Sequence, residues 1–225
     1  MKLKDSENFV VLGLFLGAVG LVSALVLALV SGLTAPKIKA AELRAKKAAL
    51  EQLQFGKFDN DPTQEICEID GVTFMALRKD GKLVGIAAEA ETKGYAGTIK
   101  ELVGFKPDDG TITAVLITEE NETPGLGKVV CERKFRKTIF NFLKPTPKEL
   151  PPNPILDQFS QKEDKSPRKA ADGTKWRLKK DGGDFDGKTG ATVTSRAVTE
   201  ITGKTVETFE KHRADLDKAF PKEKK

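Results

Sequence analysis

Residues 72–118 of this 225-residue chain are VTFMALRKDGKLVGIAAEAETKGYAGTIKELVGFKPDDGTITAVLIT, and the fold class follows from them. Runs of β-branched or alternating apolar residues lie at 72–77, 82–90, 98–105 and 111–118. Lys79-Asp80-Gly81 and Asp108-Asp109-Gly110 separate neighbouring runs, and Asp-Gly pairs are typical of tight hairpin turns. The stretch therefore predicts an antiparallel meander and not a parallel α/β sheet.

The residues after the meander predict helices and one extended loop. Residues 129–142 have a helical pattern, whereas several prolines between 145 and 154 predict an extended loop. Residues 194–220 predict one or two helices, with Gly203 as a candidate break. The sum is an α+β domain in which helices pack on one antiparallel sheet.

The N-terminal region predicts a membrane anchor. Residues 9–33 carry no charged side chain, and as a helix they would be roughly 35–40 Å long, enough to cross a ~30 Å hydrocarbon core. A cleaved signal peptide is the alternative, but the apolar run is too long for one, and Pro36 follows it closely. Residues 37–54 are rich in Ala, Lys, Glu and Leu and predict a helical stalk.

Charge and ligand-type residues argue against several classes of function. The net charge of +5 is spread along the chain without a basic block that contains aromatic residues, so no nucleic-acid partner is expected. Cys67 and Cys131 are far apart, and the single histidine, His212, lies among charged residues, so no metal site is expected. The two cysteines are either small buried residues or a disulfide pair, and the sequence leaves this open.

The stretch DGKTGATVTSR, residues 186–196, is the candidate for chemistry. Gly190 lets the backbone turn, and Thr192 opens a helical stretch whose N-terminal N–H groups and positive dipole end favour a phosphate. An ordinary helix cap made by threonine and serine is the alternative interpretation. No catalytic residue is expected, because a threonine without a nearby base is a poor nucleophile.

Residues 186–192 resemble the flavinylation motif D-x-x-[ST]-G-A-T. In proteins with this motif, a flavin transferase moves FMN from FAD onto the last threonine as a phosphoester. The resemblance therefore implies that Thr192 carries a covalent FMN. The preceding run WRLKKDGGDFD, residues 176–186, is similar to the G subunit of the Rnf/Rsx ion-translocating electron transport complex.

Two upstream segments carry the same resemblance. GYAGTI, residues 94–99, is similar to a strand of the family, and ETPGLG, residues 122–127, is similar to the family's loop beside the isoalloxazine ring. Independently of the family, Pro124-Gly125 predicts a type II turn. Trp176 either packs on the flavin or belongs to the core, and Lys179 either neutralises phosphate or reduced flavin or is a solvated surface lysine. The cofactor site implied by the resemblance consists of Thr192, Thr189, Gly190, Ala191, Glu122, Thr123, Gly125, Leu126, Gly127, Tyr95, Trp176 and Lys179.

The resemblance also implies a function, partners and an arrangement of domains. It implies an electron-relay subunit of a complex that couples ferredoxin/NAD electron transfer to Na⁺ or H⁺ translocation, without stand-alone catalysis. Expected partners are the membrane and iron–sulfur/flavin subunits of that complex, the flavin transferase and membrane lipid. The expected arrangement is a short N-terminal tail at 1–8, a transmembrane helix at 9–33, a helical stalk at 34–60, an FMN-binding domain at 61–220 and a disordered tail at 221–225.

Three points stay open after the resemblance. The C subunit of the sodium-translocating NADH:quinone reductase and a cofactor-free membrane-anchored adaptor are alternative functions. The family places a single-pass protein in the inner membrane with its FMN domain on the periplasmic side. Two lysines precede the apolar span, however, and five basic residues follow it, which by the positive-inside rule places the domain in the cytoplasm. We follow the family on this point.

Overall fold

The structure is a computed structural model that describes residues 4–135 and 150–223. The chain forms two compact units, Met1–Lys47 and Ala48–Lys225. The described part of the first unit is a helix, α1, which spans Lys4–Glu51 and ends within the second unit. The second unit holds the sheet and the remaining helices.

Helix α1 is long and apolar enough to cross a membrane. Its most apolar window has a mean hydropathy of 2.7, and it is the one helix of this kind among the described residues. Large apolar side chains such as Phe9, Leu16 and Leu27 are exposed on it. In this apolar part, none of the described side chains is buried, and a helix that exposes apolar side chains on all sides suits a lipid environment. The described part of α1 therefore agrees with membrane anchoring.

The sheet has five antiparallel strands in the order β1-β2-β3-β4-β5. The strands are β1 (Ile66–Ile69), β2 (Val72–Lys79), β3 (Lys82–Lys93), β4 (Thr98–Phe105) and β5 (Ile112–Glu119). The predicted meander is therefore confirmed for four strands, and β1 is an additional edge strand that was not predicted. The predicted α+β class, with helices packed on an antiparallel sheet, is confirmed.

Asp-Gly turns set the register of the first two hairpins. Asp80 and Gly81, which join β2 to β3, both have positive φ, at 51° and 76°. Asp70 and Gly71, which join β1 to β2, repeat this pattern with φ of 52° and 77°. Two successive left-handed residues form a type I′ turn, whose twist matches that of the flanking strands.

Of the helix predicted at 129–142, residues 129–131 are helical, and the prediction is wrong for residues 132–135. Helix α2 spans only Gly127–Cys131, and Glu132 already has extended backbone. The reason is Arg133, whose largely buried guanidinium donates to the carbonyls of Val115 and Pro151 and pairs with Asp157. These tertiary contacts fix Arg133 in a position that is incompatible with continuing the helix. Residues 136–142 of the prediction lie outside the described part.

Three further helices follow. Helix α3 spans Pro154–Ser160 and begins at Asn153, whose side chain accepts from the N–H groups of Ile155 and Leu156. The predicted proline-rich loop at 145–154 thus ends where α3 begins, and its residues 145–149 lie outside the described part. Helices α4 (Thr192–Lys211) and α5 (Arg213–Ala219) are separated at His212. The break suggested at Gly203 is wrong, because this glycine lies within α4.

Helix α4 packs on one face of the sheet. On β4, alternate residues Ile99, Val103 and Phe105 are buried in the same apolar cluster as Phe209 of α4. The rings of Phe105 and Phe209 stack with centroids 4.2 Å apart. Alternation along the strand follows from its period of two, so this face forms the main core.

The other face of the sheet is covered by the last residues of α1 and the chain that follows them. Leu50 and Leu53 are buried there with Leu102 of β4. The ring of Phe55 lies so close to Gly85 that a Cβ at this glycine would be 2.6 Å from it. The second compact unit therefore starts at Ala48, ahead of the predicted domain start at residue 61.

Both cysteines are free thiols. Cys131 is buried in the main cluster, and this burial raises the pKa of its thiol to about 12. The two cysteines therefore do not form a disulfide. Cys131 is a small buried core residue, which was the other interpretation of the sequence.

Candidate cofactor site

Thr192 is the first residue of α4 and is half-buried. The N-cap residue is Ala191, which provides no side-chain hydrogen bond to the helix. The alternative of an ordinary threonine or serine cap is therefore wrong. The N–H groups of the first helical turn have no intrahelical partner, and with the positive dipole end they suit a phosphate ester on the Thr192 hydroxyl.

The loop that leads to Thr192 is fixed at two points. The side-chain amide of Gln158 on α3 accepts from the Asp186 N–H at 2.8 Å and donates to its carbonyl, also at 2.8 Å. The buried Ser195 hydroxyl accepts from the Lys188 N–H and donates to the Ala191 carbonyl. Both ends of the loop are thus tied to helices, while Thr189 and Gly190 at its tip stay exposed.

Leu126 brings the ETPGLG loop to the tip of the loop at residues 186–191, which we call the acceptor loop after the predicted role of Thr192. Gly190 has a φ of +84°, and a Cβ on it would lie 3.5 Å from Cδ2 of Leu126. The Leu126 side chain is 49% exposed, so it is an open apolar surface beside the helix N-terminus. The structure therefore brings together two segments that lie more than 60 residues apart in the sequence.

The ETPGLG loop contains the turn that its sequence predicts. The Leu126 N–H donates to the Thr123 carbonyl at 3.1 Å, which closes a turn over Pro124-Gly125. Gly125 has a φ of +80°, the left-handed value that the third position of a type II turn requires. Thr123 and Gly125 are exposed, whereas Glu122 and Gly127 are buried beneath them.

Tyr95 lies beside the same loop through its backbone. Its N–H donates to the Glu122 carboxylate at 2.8 Å, and its side chain is 73% exposed. A largely exposed tyrosine ring has an open face for a flat ligand. The structure therefore connects Tyr95 with the ETPGLG loop.

Trp176 is partly buried and packs against the aromatic part of the main core. Its ring stacks on Phe185 at 4.8 Å between centroids and contacts Phe159. A Cβ at Gly203 would overlap with Trp176, so the indole packs on α4 about 16 Å, or three turns, beyond Thr192. The structure thus favours the core alternative for Trp176 and does not bring it to the acceptor loop.

Two basic residues beside the motif, Lys179 and Arg196, are paired with carboxylates. Lys179 bonds to Asp186 at 2.9 Å and to Glu163 at 3.4 Å, and these hydrogen bonds, that to Asp186 first, raise the pKa of Lys179. Arg196 forms a two-point ion pair with Asp181, and that hydrogen bond raises the pKa of Arg196. Lys179 therefore holds the motif aspartate, and a phosphate on Thr192 would compete with Asp181 for Arg196.

Three residues of the site were not identified as such from the sequence. Ser195 and Thr194 stand within the quoted motif, and their hydroxyls one turn or less after Thr192 were an available signal. Gln158 carried no signal, because it pairs with Asp186 across 28 residues of sequence.

Gly127 is closely packed against neighbouring side chains, so a larger residue at this position should destabilise the domain. A Cβ there would overlap with the Glu122 carboxylate and lie 2.6 Å from the Thr194 hydroxyl. We expect Gly127→Ala to lower the free energy of unfolding by about 1–3 kcal/mol. The measurement is urea unfolding followed by fluorescence of the single tryptophan.

Gly125 is the matched control for that prediction. It lies in the same loop with nothing within 4 Å of its Cβ position, and asparagine tolerates its left-handed backbone. Gly125→Asn should therefore change stability little. Equal unfolding curves for the wild type and Gly127→Ala would show that the carboxylate and hydroxyl are not packed as described.

Two family models match the chain. An FMN-binding domain model matches residues 94–207, and a model described as the RnfG N-terminal region matches residues 1–53. The first match contains the ETPGLG loop, the acceptor loop and most of α4. The second covers the described part of α1 and the two residues that follow it.

Curated relatives match over nearly the whole chain. Proteins described as the G subunit of an ion-translocating oxidoreductase complex, from Cereibacter sphaeroides and Pseudomonas aeruginosa, are both 32% identical, each over 93% of this chain and over 88% and 91% of their own. The protein of the same description from Vibrio cholerae is 29% identical over 91% of each chain. The crystal structure of Shewanella oneidensis NqrC covers 74% of this chain and 82% of its own at 19% identity, with a TM-score of 0.42, and this likeness is too low to support an argument.

Proposed function

This chain belongs to the family of G subunits of ion-translocating oxidoreductase complexes and contains an FMN-binding domain, and from this we propose that it relays electrons through FMN joined by a phosphoester to Thr192. FMN supplies the electron-carrying chemistry, and the protein holds and tunes it. The observation that carries the proposal is the half-buried Thr192 hydroxyl at a helix start that no side chain caps.

We expect attachment to need a second enzyme, because the described residues place no base at the Thr192 hydroxyl. Among the described residues, the Thr192 hydroxyl has no hydrogen-bond partner in the domain, so it is free to act as an acceptor. A flavin transferase would bond this oxygen to the flavin-side phosphorus of FAD. The pyrophosphate bond then breaks, AMP leaves, and the hydroxyl proton passes to a base of the transferase. The product is a phosphate diester that keeps the flavin on the protein.

The surface beside Thr192 suits the flat part of the cofactor. Leu126 in the ETPGLG loop is an exposed apolar side chain, and Tyr95, whose N–H is bonded to Glu122 of that loop, has an exposed ring. Exposed apolar side chains rimmed by polar ones commonly mark a binding site. We propose that Thr123, Gly125 and Leu126 contact the ring system, and that Thr189, Gly190 and Ala191 leave room for the phosphate.

As a relay, this subunit needs partners and no substrate pocket of its own. We propose that it receives electrons from one cofactor of the complex and passes them to another. The ferredoxin/NAD exchange and the movement of Na⁺ or H⁺ belong to the whole complex. The curated G-subunit relatives and the RnfG N-terminal match favour this assignment over the C subunit of the sodium-translocating NADH:quinone reductase.

We further propose that the domain lies on the periplasmic side of the inner membrane. Covalent attachment gives a reason, since a flavin outside the cytoplasm would otherwise diffuse away. The basic residues after the apolar span argue for the opposite side. Protease treatment of sealed vesicles of known sidedness decides between them, and digestion of the domain only from the cytoplasmic face would contradict the proposal.

The central test is the mass of the mature chain. The protein is produced with its flavin transferase, and its intact mass is compared with that of protein produced without the transferase. We expect a gain of one FMN less one water, located by fragmentation on the peptide that contains Thr192. A fully expressed chain without the adduct would favour the cofactor-free adaptor.

A further inference from the structure

Glu122 is a buried carboxylate whose contacts all lie within the domain. It is 4% exposed. Its Oε1 accepts from the N–H groups of Tyr95 at 2.8 Å and Ala96 at 3.1 Å. Its Oε2 accepts from the Thr194 hydroxyl at 2.7 Å. A carboxylate that is buried costs stability unless it is hydrogen-bonded, and here both oxygens are satisfied.

Glu122 and its partners belong to three separate segments of the site. Tyr95 and Ala96 lie in the β3–β4 turn, which the Gly94 N–H closes by donating to the Gly97 carbonyl at 2.7 Å. Thr194 lies in the first turn of α4, two residues after Thr192. Glu122 itself opens the ETPGLG loop, so one side chain joins all three.

The backbone closes around this carboxylate from two sides. A Cβ at Gly94 would overlap with Oε1, and a Cβ at Gly127 would overlap with Oε2. From the loop side, the Glu122 N–H donates to the carboxylate of Glu120 at 2.7 Å. Because the side chain is enclosed and its oxygens are occupied, Glu122 has no free surface for a ligand.

We propose that Glu122 is a positioning residue, which ties the β3–β4 turn and the ETPGLG loop to the helix start at Thr192 and thereby sets the surface on which the flavin ring lies. The inference rests on the proposed function. It assigns Glu122 a role different from direct contact: Tyr95 and Leu126 would contact the ring, and Glu122 would hold the segments that carry them.

Two substitutions separate the hydrogen bonds of Glu122 from its charge. In Glu122→Gln the amide oxygen still accepts from the two N–H groups, and the amide NH₂ donates to the Thr194 hydroxyl, which can reverse its role. In Glu122→Leu all three bonds are lost. Glu119 lies at the exposed end of β5, where its carboxylate pairs with Lys100 at the surface. Glu119→Leu is therefore the matched control, because it removes a carboxylate outside the site.

The experiment measures the flavin environment in full-length protein that mass spectrometry shows to carry one FMN. We expect Glu122→Gln and Glu119→Leu to keep the visible circular dichroism and fluorescence anisotropy of the wild type. Glu122→Leu should lose the induced dichroism and approach the anisotropy of a freely rotating flavin. Amide exchange in the protein made without transferase gives a second readout, in which Tyr95 and Ala96 lose protection only in Glu122→Leu.

The outcomes separate this inference from the proposed function. Wild-type protein without an FMN adduct would contradict the proposed function. Amide exchange would still test the hydrogen bonds of Glu122 in that case. Wild-type flavin signals in Glu122→Leu overturn the inference and leave the function intact. Equal changes in Glu122→Leu and Glu122→Gln would overturn the inference as well. The charge of Glu122, and not its hydrogen bonds, would then be responsible for the flavin signals. If Glu122→Leu does not fold, Thr194→Val removes one tie, and unchanged flavin signals in that variant also overturn the inference.

Discussion

Thr192→Val is expected to abolish covalent FMN completely, both in the intact mass and in the fluorescence of the denatured chain in a gel. Valine has nearly the shape of threonine, but it lacks the oxygen that forms the phosphoester. The residue is half-buried and begins α4 without acting as its cap, so the fold should survive. Unchanged unfolding of the second compact unit would show that loss of FMN is chemical and not a folding defect.

Two serine variants serve as controls for this result. Thr192→Ser keeps the hydroxyl and should keep a measurable adduct. Thr189→Ser changes the exposed neighbour at the tip of the same loop and should leave the adduct in place. An adduct that persists in Thr192→Val would place the acceptor elsewhere, and peptide mapping would identify it.

The second large effect is a dependence of stability on pH that originates at Glu101. This residue of β4 is fully buried and faces α4, where the hydroxyls of Thr202 and Thr205 lie 2.8 and 3.0 Å from its oxygens. Burial raises its pKa from 4.5 to about 8, although the hydrogen bonds from the two threonines lower it in part. At neutral pH the carboxyl is therefore protonated in the folded domain and ionised in the unfolded chain.

The sign follows from which state binds the proton more tightly. Because the folded pKa is the higher one, the contribution of Glu101 to stability is complete below pH 4.5 and is lost as the pH rises to about 8. The loss is on the order of 3–5 kcal/mol over that interval. Asp109 does not interfere, since a hydrogen bond from Thr111 lowers its pKa to about 2, and its contribution is lost only in strong acid.

Glu101→Gln should remove this dependence. The amide donates to one threonine and accepts from the other, which matches the neutral acid, and it does not ionise. We expect the unfolding free energy of the wild type to fall between pH 5 and pH 8, and that of Glu101→Gln to stay nearly level. Urea unfolding at each pH, followed by fluorescence of Trp176, measures both. Parallel curves for the two proteins would show that Glu101 does not carry the effect.

Elements with a local cause could be predicted from the residues alone. The Asp80-Gly81 pair predicts a hairpin turn, and in the structure both residues have the left-handed backbone of that turn. The alternation of β4 predicted its limits at Thr98 and Phe105, as the structure has them. Turn chemistry and strand periodicity act over a few residues, so a single sequence is enough to find them. Strand β1 was missed although Asp70-Gly71 carries the same signal, because four residues are too few to show a period.

The positions of the polar and aromatic side chains, in contrast, depend on tertiary packing. Glu101 stands in the strand pattern as a charged residue, and only the packing of α4 over it makes it a buried acid. The Thr194 partner of Glu122 lies 72 residues away in the sequence, and no local rule connects the two. Trp176 stands next to a flavin motif in the sequence but packs against the core, since Gly203 on α4 leaves room for it there. Secondary-structure propensity depends on residues within about one turn of the chain. Burial and side-chain hydrogen bonding depend on the distant segments that the fold brings into contact.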